Sequence, residues 1–131
     1  MAVKVIEVIE VIDASALAAL LFGEPEAEAV AVQLGNDNLV APALIGFEIA
    51  SVCLKKMRRD LKHRDALLAA FAMYAAMSIV IIEVDHANTL QLAEMFGLSS
   101  YDAAYLWVAQ KLSAALVTLD KKLQTAGTTR H

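Results

Sequence analysis

The sequence predicts an α/β fold in which a parallel sheet is covered by helices. Short β-branched segments alternate along the chain with longer helical segments, which is the pattern of parallel sheets. The 131 residues are 59% hydrophobic, above the usual apolar share of about 45–50%. Such an excess is expected when both faces of a sheet are covered or when apolar surface meets a partner. No linker or low-complexity tract divides the chain, so we expect a single domain over residues 1–131.

The first third of the chain predicts a strand and two helices. Val3 to Ile12 is rich in β-branched residues, and its last part is the first strand. Asp13 ends this strand, and the segment Ala14 to Phe22 is a short helix stopped by Gly23. The segment Pro25 to Leu34 is the second helix, because proline is well suited to a first helical position.

The middle of the chain predicts a strand, two helices and a further strand. Leu39 to Ala41 is a brief strand, and the segment Pro42 to Arg59 is a long helix. The segment Arg64 to Met77 is rich in Ala, Leu and Met, which are helix formers, and predicts a buried helix. A break near Ser78 precedes Ile79 to Val84, whose β-branched residues predict a central strand.

The last third predicts two helices, a strand and a final turn of helix. The segment Asp85 to Phe96 is a helix ended by Gly97. Ser99 or Ser100 caps the next helix, which extends to about Leu112. Ala115 to Leu119 is the fourth strand, and Lys121 to Thr125 forms a last helical turn.

Composition excludes several classes of protein. The net charge of −4 argues against a uniformly basic nucleic-acid binder. The single cysteine, Cys53, rules out an intramolecular disulfide and favours an intracellular setting. Ala66 to Ile82 carries no charge, but a helix of that length spans roughly 25 Å, short of a hydrocarbon core about 30 Å thick. The N-terminus has no cleavable apolar core, so we expect a cytoplasmic protein without a membrane span.

Four carboxylates interrupt or end apolar segments. Glu48 has only apolar or small neighbours within a helical turn, where losing its hydration is costly unless a cation or donors replace the water. Asp13 and Asp120 directly follow predicted strands, and Asp102 lies in the first turn of a capped helix. Ligands of open α/β sheets bind outside the carboxyl ends of the strands, so the four acids can converge there. Oxygen-only ligation suits Mg²⁺ or Mn²⁺ rather than zinc.

A purely structural interpretation exists for three of these acids. Asp13 and Asp120 could only cap the helices that follow them, and Asp102 fits a capping box with Ser99. Glu48 resists such an interpretation, because a solvent-facing helix glutamate rarely has apolar residues at every neighbouring position. All four acids are expected at the same edge of the sheet, and this shared position favours a functional site.

Two hydroxyl side chains accompany the acids. Ser15 and Thr118 each stand two residues from an acid, Asp13 and Asp120 respectively. A hydroxyl at that spacing could orient a carboxylate or a metal-bound water. We therefore include both as supporting polar residues of the candidate site.

With these residues, the sequence resembles the PIN-domain ribonucleases, and most closely the VapC-type toxins of toxin–antitoxin pairs. The matching segments are Val11–Ser15, Pro42–Ser51, Leu98–Tyr105 and Leu116–Leu123. The resemblance implies a three-layer α/β/α sandwich with a central parallel sheet of four or five strands. It also implies a Mg²⁺- or Mn²⁺-dependent endoribonuclease, acting on RNA as a homodimer and inhibited by a cognate VapB-like antitoxin that obstructs the acidic pocket.

Carried over by position, the acidic set of the family falls on four residues, with two polar companions. These are Asp13, Glu48, Asp102 and Asp120, with Ser15 and Thr118. We assign Asp13 and Asp102 as principal metal ligands, and the other two acids as ligands, water-positioners or the general base. The sequence departs from the family pattern at two places. Lys121 and Lys122 stand where some PIN nucleases carry a further acid, and the short segment Gln124–His131 leaves little room for a fifth strand.

An acidic pocket repels phosphate, so RNA binding needs cations nearby. Six of the eleven Lys and Arg residues lie within residues 55–64. The candidate RNA contacts are Lys55, Lys56, Arg58, Arg59, Lys121 and Lys122. A solvated helix end explains the first four equally well. Tyr101 and Tyr105 could stack on a base, although a partly buried aromatic on an amphipathic helix is commoner.

Two other functions stay open on the sequence alone. A receiver-like signalling domain is also doubly wound with acids at strand ends, but it usually has paired acids after the first strand, where this chain has Asp13 alone. A PIN-like module that binds RNA or protein without catalysis is the second alternative. The presence of all four acids argues against it.

Overall fold

The computed structural model describes residues 8–128, which contain four strands and seven α-helices. The strands are β1 (Ile9–Ile12), β2 (Asn38–Ala41), β3 (Val80–Ile81) and β4 (Ala115–Val117). The helices are α1 (Ala14–Phe22), α2 (Ala27–Leu34), α3 (Ile45–Arg59), α4 (Arg64–Ala76), α5 (His86–Phe96), α6 (Ser100–Leu112) and α7 (Lys121–Thr128). The first residues of the segment expected to form the first strand lie outside the described range.

The four strands form one parallel sheet in the order β3-β2-β1-β4. The chain moves from β1 to β2 to β3 in one direction and then crosses back to β4. Because such crossovers are right-handed, α1–α4 cover one face of the sheet and α5 and α6 cover the other. Contacts agree: α1 packs on α2, α3 and α4, whereas α6 packs on α5, α7 and β1. The predicted three-layer α/β/α architecture is confirmed, with four strands rather than five among residues 8–128.

The prediction of a central third strand over Ile79 to Val84 was wrong. Within residues 8–128, β3 has two residues, pairs only with β2 and lies at the edge of the sheet. Its side chains are exposed, Val80 by 56% and Ile81 by 47%. A β-branched run predicts a strand but not its position, because position depends on how the helical connections cross the sheet. β1 occupies the centre instead, with Val11 and Ile12 fully buried.

The prediction that the fourth helix is buried was also wrong. None of the residues of α4 is buried, although Phe71 and Tyr74 are half-buried and pack against the core. The helix packs mainly on α1 and α3, on the outside of its layer. Among residues 8–128, no helix combines the length and the apolar character that crossing a bilayer would require.

The strand order places a topological switch point between β1 and β4. From β1 the chain goes to one side of the sheet, and it reaches β4 on the other side. Helices leave the carboxyl ends of these two strands in opposite directions, which opens a crevice there. Asp13 follows β1 at this crevice, and Thr118 to Asp120 follow β4.

Candidate active site

Asp13 lies at the centre of the crevice. Val11 is paired with Leu116 and Ile12 with Val117, and the ladder continues with a hydrogen bond from the Asp13 N–H to the Val117 carbonyl, at 3.1 Å. This register sets Asp13 beside Thr118, although 105 residues separate them in sequence. Asp13 is 4% exposed. The parallel register therefore fixes the backbone position of a nearly buried carboxylate.

Three hydrogen bonds fix the orientation of the Asp13 carboxylate. Its Oδ1 accepts from the Ser15 hydroxyl at 2.7 Å and from the Ala16 N–H at 3.0 Å. Its Oδ2 accepts from the Thr118 hydroxyl at 2.5 Å. The bond from Ala16 is the helix cap expected at the start of α1, so Asp13 caps a helix and also occupies the crevice. Capping does not compete with a site here, because it uses only part of the carboxylate.

The two hydroxyls are themselves held by the backbone that follows β4. The Leu119 N–H donates to Ser15 Oγ at 2.9 Å, and the Asp120 N–H donates to Thr118 Oγ1 at 3.0 Å. The two hydroxyl oxygens, Ser15 Oγ and Thr118 Oγ1, lie 3.4 Å apart. Because both hydroxyls accept from N–H groups, their own hydrogens are directed at Asp13. The spacing of two residues that singled out these hydroxyls thus leads to direct contact with Asp13.

Glu48 lies in the first turn of α3 and is half-buried. Its Oε1 accepts a hydrogen bond from the Tyr105 hydroxyl at 2.6 Å. Tyr105 is 1% exposed and belongs to the core. Sequence reasoning missed this contact and treated Tyr105 as a base-stacking or core aromatic. A signal was available, since Tyr105 follows Asp102 by three residues and therefore lies on the same face of α6.

Asp102 and Asp120 complete the set from opposite sides of the crevice. Asp102 is in the first turn of α6, where its N–H donates to the capping Ser99 hydroxyl at 3.0 Å. Its carboxylate is partly exposed and lies near the Ser99 hydroxyl, which lowers its pKa. Asp120 is exposed, and its Oδ1 accepts from the Leu123 N–H at the start of α7, at 2.8 Å. Both therefore keep carboxylate oxygens available for a ligand.

The four acids are close enough to affect one another electrostatically. Burial raises the pKa of Asp13, partly offset by its hydrogen bonds, and the charge of Asp120 adds to the rise. Burial also raises the pKa of Glu48 and of Asp102. The charges of Asp102 and Asp13 raise the pKa of Glu48 further. The charges of Asp120 and Asp13 likewise raise the pKa of Asp102. The crevice thus collects negative charge that water does not fully solvate.

Within residues 8–128, no Lys, Arg or His forms an ion pair with any of these four acids. Oxygen donors without a protein cation are the chemistry of a hard divalent ion such as Mg²⁺ or Mn²⁺, so the donor set fits such an ion. No three acidic, His or Cys side chains in the described part of the chain already stand at ligand distances. Asp13 is fixed by its hydrogen bonds, so closing on an ion would require movement of the less constrained Asp102 and Asp120.

Removing one of these charges should stabilise the metal-free protein. A carboxyl whose pKa is raised on folding stabilises the fold below its unfolded pKa, and this contribution is lost as pH rises through the folded pKa. We therefore expect Asp102→Asn to raise the Tm in EDTA by a few degrees at about pH 8. The gain should disappear as the pH falls below the unfolded pKa of about 3.9, where the carboxyl is protonated in both states. Thermal melts across this range, with the exposed Asp65→Asn as control, would check it, and an equal shift at both ends would contradict it.

The predicted RNA contacts divide into two groups. Lys121 and Lys122 are exposed beside Asp120, and the Lys122 amine approaches Gly97 in the turn before α6, so they stay candidates at the crevice. The Lys56 amine instead pairs with Glu24 at 3.0 Å and lies 5.6 Å from the Phe22 ring centroid. Lys55, Arg58 and Arg59 are exposed at the far end of α3, roughly 10 Å or more from Glu48 along the helix.

The family model and the similar protein sequences both identify the PIN-domain family. A family model described as PIN domain matches residues 11–128. The chain is 34% identical over 122 residues to Ribonuclease VapC9 of Mycobacterium tuberculosis, covering 89% of this chain and 90% of that protein. It is 30% identical over 118 residues to Ribonuclease VapC3 of Pyrobaculum aerophilum, covering 86% of this chain and 90% of that protein.

Solved structures share the fold. The crystal structure of PAE2754 from Pyrobaculum aerophilum superposes with a TM-score of 0.69 at 25% identity, over 94% of this chain and 89% of that one. Mycobacterium tuberculosis VapC20, described as a sarcin-ricin loop cleaving toxin, superposes with a TM-score of 0.65 at 18% identity, over 92% of this chain and 96% of that one. At this lower identity the likeness concerns the fold alone.

Proposed function

Because the chain belongs to the PIN-domain family and resembles its VapC-type ribonucleases, we propose that it is a metal-dependent endoribonuclease, the toxin of a VapBC-type pair. One observation carries the proposal: Asp13, Glu48, Asp102 and Asp120 meet at the switch point of the sheet without a protein cation among residues 8–128. We propose further that a single PIN domain constitutes the chain and that it acts on RNA in the cytoplasm.

In this proposal Asp13 and Asp102 are the principal ligands of Mg²⁺ or Mn²⁺. The bound ion would lower the pKa of a water molecule and neutralise charge on the scissile phosphate. Asp13 suits a fixed ligand because three hydrogen bonds hold it, and Asp102 suits a more mobile one because its side chain is partly exposed and less constrained. Glu48 and Asp120 would complete the shell, position the attacking water or accept its proton.

The choice of RNA over DNA rests on the relatives, which are named ribonucleases. Hydrolysis by an activated water does not use the 2′-hydroxyl, so the four acids alone do not select between the two. Lys121 and Lys122 could hold the phosphates next to the cut, since they are exposed beside Asp120. Lys55, Arg58 and Arg59 would contact more distant phosphates, and Lys56 contributes less because Glu24 already neutralises it.

We propose a homodimer on the basis of exposed apolar surface next to the crevice. A groove of about 700 Å³ lies between the loop after β2, the end of β3, α5 and the start of α6. Its lining includes Leu44, Ile81, Leu90 and Tyr101, of which the last three are exposed. Contiguous apolar surface of this kind marks an association site. A second copy of the chain is the occupant we propose for it.

We propose that an apolar segment of the antitoxin binds on the opposite layer, and that another segment of it obstructs the acidic pocket. A shallower groove of about 500 Å³ is formed by α1, α3 and α4, with Leu21, Phe22 and Leu67 in its lining. Lys56 and Arg59 also line it. An amphipathic peptide with an apolar face and some acidic residues would fit this surface. Ala16 and Leu17 of α1 are fully buried in the core and are not available to this groove.

The competing functions receive less support. A receiver-like domain would need a pair of acids after β1, but Ile12 before Asp13 and Ala14 after it are apolar and buried. A non-catalytic PIN-like module would have no need to hold Asp13 with three hydrogen bonds between two strands. Both observations favour catalysis at the crevice.

The test is RNA cleavage with controlled metal content. The purified protein should cut single-stranded RNA when Mg²⁺ or Mn²⁺ is present, and addition of EDTA should stop cleavage until excess metal is restored. The exposed Asp65→Asn should cleave as the unmodified protein does, because it changes an acid of the same type away from the crevice. A DNA strand of the same sequence tests the preference for RNA. Undiminished cleavage in EDTA would refute the proposal.

A further inference from the structure

Tyr105 connects three of the four elements that carry the acids. It belongs to α6, three residues after Asp102, and its ring is buried in the core. Its hydroxyl donates to Glu48 on α3 at 2.6 Å. The Ala14 N–H, at the start of α1 next to Asp13, lies close enough to lower the pKa of the Tyr105 phenol. One rigid side chain thus contacts or adjoins Glu48, Asp102 and Asp13.

Glu48 needs such a partner more than the other acids do. Asp13 is held by its hydrogen bonds to Ser15, Ala16 and Thr118. The Glu48 side chain is longer and has more rotatable bonds, so ordering it costs more conformational entropy. Within residues 8–128, the Tyr105 hydroxyl is the one hydrogen-bond donor to its carboxylate. Oε2 keeps no donor among these residues and is available to a ligand.

The chemistry of the pair is well defined. A phenol hydroxyl has one hydrogen to donate, and here it goes to a carboxylate, which makes the bond charge-assisted. The bond lowers the pKa of Glu48 and so opposes the rise that burial causes, while burial and the Glu48 charge raise the pKa of Tyr105. Tyr105 therefore stays protonated and acts as a permanent donor. Its ring, packed in the core, offers little freedom to reorient.

We propose that Tyr105 is the positioning residue of Glu48, holding Oε1 so that the remaining oxygen serves the metal site. This inference rests on the proposed function, since it gives Glu48 a role towards a divalent ion. Partners of this kind, which orient a ligand without touching the ion, typically contribute about 10–100-fold to metal affinity or activity. Tyr105 differs from Ser15 and Thr118 in acting on Glu48 rather than on Asp13.

Mn²⁺ binding to the metal-free protein, measured by electron paramagnetic resonance, tests the proposal directly. Tyr105→Phe removes the hydroxyl and keeps the ring. We expect its Mn²⁺ affinity to fall about 10–100-fold, with an unchanged circular dichroism spectrum. Tyr74→Phe is the control for loss of a phenol hydroxyl, because Tyr74 is half-buried and its hydroxyl forms no hydrogen bond within residues 8–128. Unchanged Mn²⁺ affinity of Tyr105→Phe would overturn the inference.

A double-mutant cycle separates positioning from a general structural effect. If Tyr105 acts through Glu48, Tyr105→Phe should change the Mn²⁺ affinity less than about twofold in a Glu48→Ala background. The same loss in both backgrounds would overturn the proposal, because the hydroxyl would then act elsewhere. If the unmodified protein binds no Mn²⁺ and cuts no RNA, the proposed function fails. If the unmodified protein binds Mn²⁺ and cuts RNA, and Tyr105→Phe binds Mn²⁺ equally tightly, only the inference about Tyr105 fails.

A measurement on the unsubstituted tyrosine covers the case in which Tyr105→Phe does not fold. The chain has three tyrosines, so carbon-13 labelling of their Cζ atoms gives three signals, assignable through Tyr74→Phe and Tyr101→Phe. Saturation with Mg²⁺ should shift the Tyr105 signal, because an ion sharing the Glu48 charge weakens the hydrogen bond. The same addition should not shift it in Glu48→Ala. A Tyr105 signal unmoved by Mg²⁺ would overturn the proposal.

Discussion

Asp13→Asn is expected to reduce metal-dependent RNA cleavage by more than about 100-fold, the upper end of what loss of an orienting partner costs. The substitution removes the one carboxylate that is both buried and fixed by three hydrogen bonds. An amide presents one oxygen instead of two and carries no negative charge, so it is a poor ligand for a hard cation. The loss should appear in Mn²⁺ affinity as well as in cleavage.

The protein should remain folded after this change. An asparagine can keep its Oδ1 as acceptor for the Ala16 N–H and the Ser15 hydroxyl, so α1 retains its cap. Its amide nitrogen would face Thr118, whose oxygen has two lone pairs and already accepts from the Asp120 N–H. Burial raises the pKa of Asp13, which means that its charge destabilises the fold. A neutral residue relieves that cost.

Cleavage assays, Mn²⁺ titration and thermal melts on the same preparation check this prediction. Asp65→Asn provides the control, since Asp65 is exposed on α4. Cleavage by Asp13→Asn at the rate of the unmodified protein would contradict the assignment of Asp13 as a principal ligand. A collapse of the melting transition would instead contradict the expectation that asparagine keeps the cap of α1 and the fold.

Most elements of the fold were predictable because their boundaries are local. Gly23 and Gly97 adopt the left-handed conformation with φ near 64°, and each ends the helix that the sequence predicted to stop there. The place of each strand in the sheet is not local. Val80 and Ile81 look like a central strand in composition, yet the crossover from β3 to β4 leaves them at the edge. Their exposure also explains part of the apolar excess in the sequence.

The acids of the candidate site were also predictable from the sequence, but the contacts of individual side chains were not. Acids that end apolar strands attract attention because burying them is costly, and parallel topology then brings them together. For Tyr105 the sequence offered only its spacing of three residues from Asp102, because a buried tyrosine is common and its partner Glu48 is 57 residues away. Lys56 was overvalued for RNA, because its ion pair with Glu24 depends on packing between α3 and the segment after α1. Long-range contacts of single side chains account for both misses.

Thr118 should be nearly as important for the site as the acids themselves. Its hydroxyl donates to Asp13 Oδ2 and accepts from the Asp120 N–H, so one oxygen couples two acids across the switch point. Thr118→Val keeps the branched shape and removes both bonds. We expect Mn²⁺ affinity and cleavage to fall about 10–100-fold. Unfolding free energy should also fall by roughly 1–3 kcal/mol, because a buried carboxylate oxygen loses its donor.

Thr118→Ser is the control that separates the hydroxyl from the methyl group. A serine can make the same two hydrogen bonds, so most of the Mn²⁺ affinity and cleavage should return, while loss of the methyl group costs a little stability. Comparison of both variants at a temperature where each is fully folded removes the stability difference from the measurement. Should Thr118→Val bind Mn²⁺ as tightly as Thr118→Ser does, the hydroxyl would not be orienting Asp13, and the crevice would have to hold its ion through the remaining acids alone.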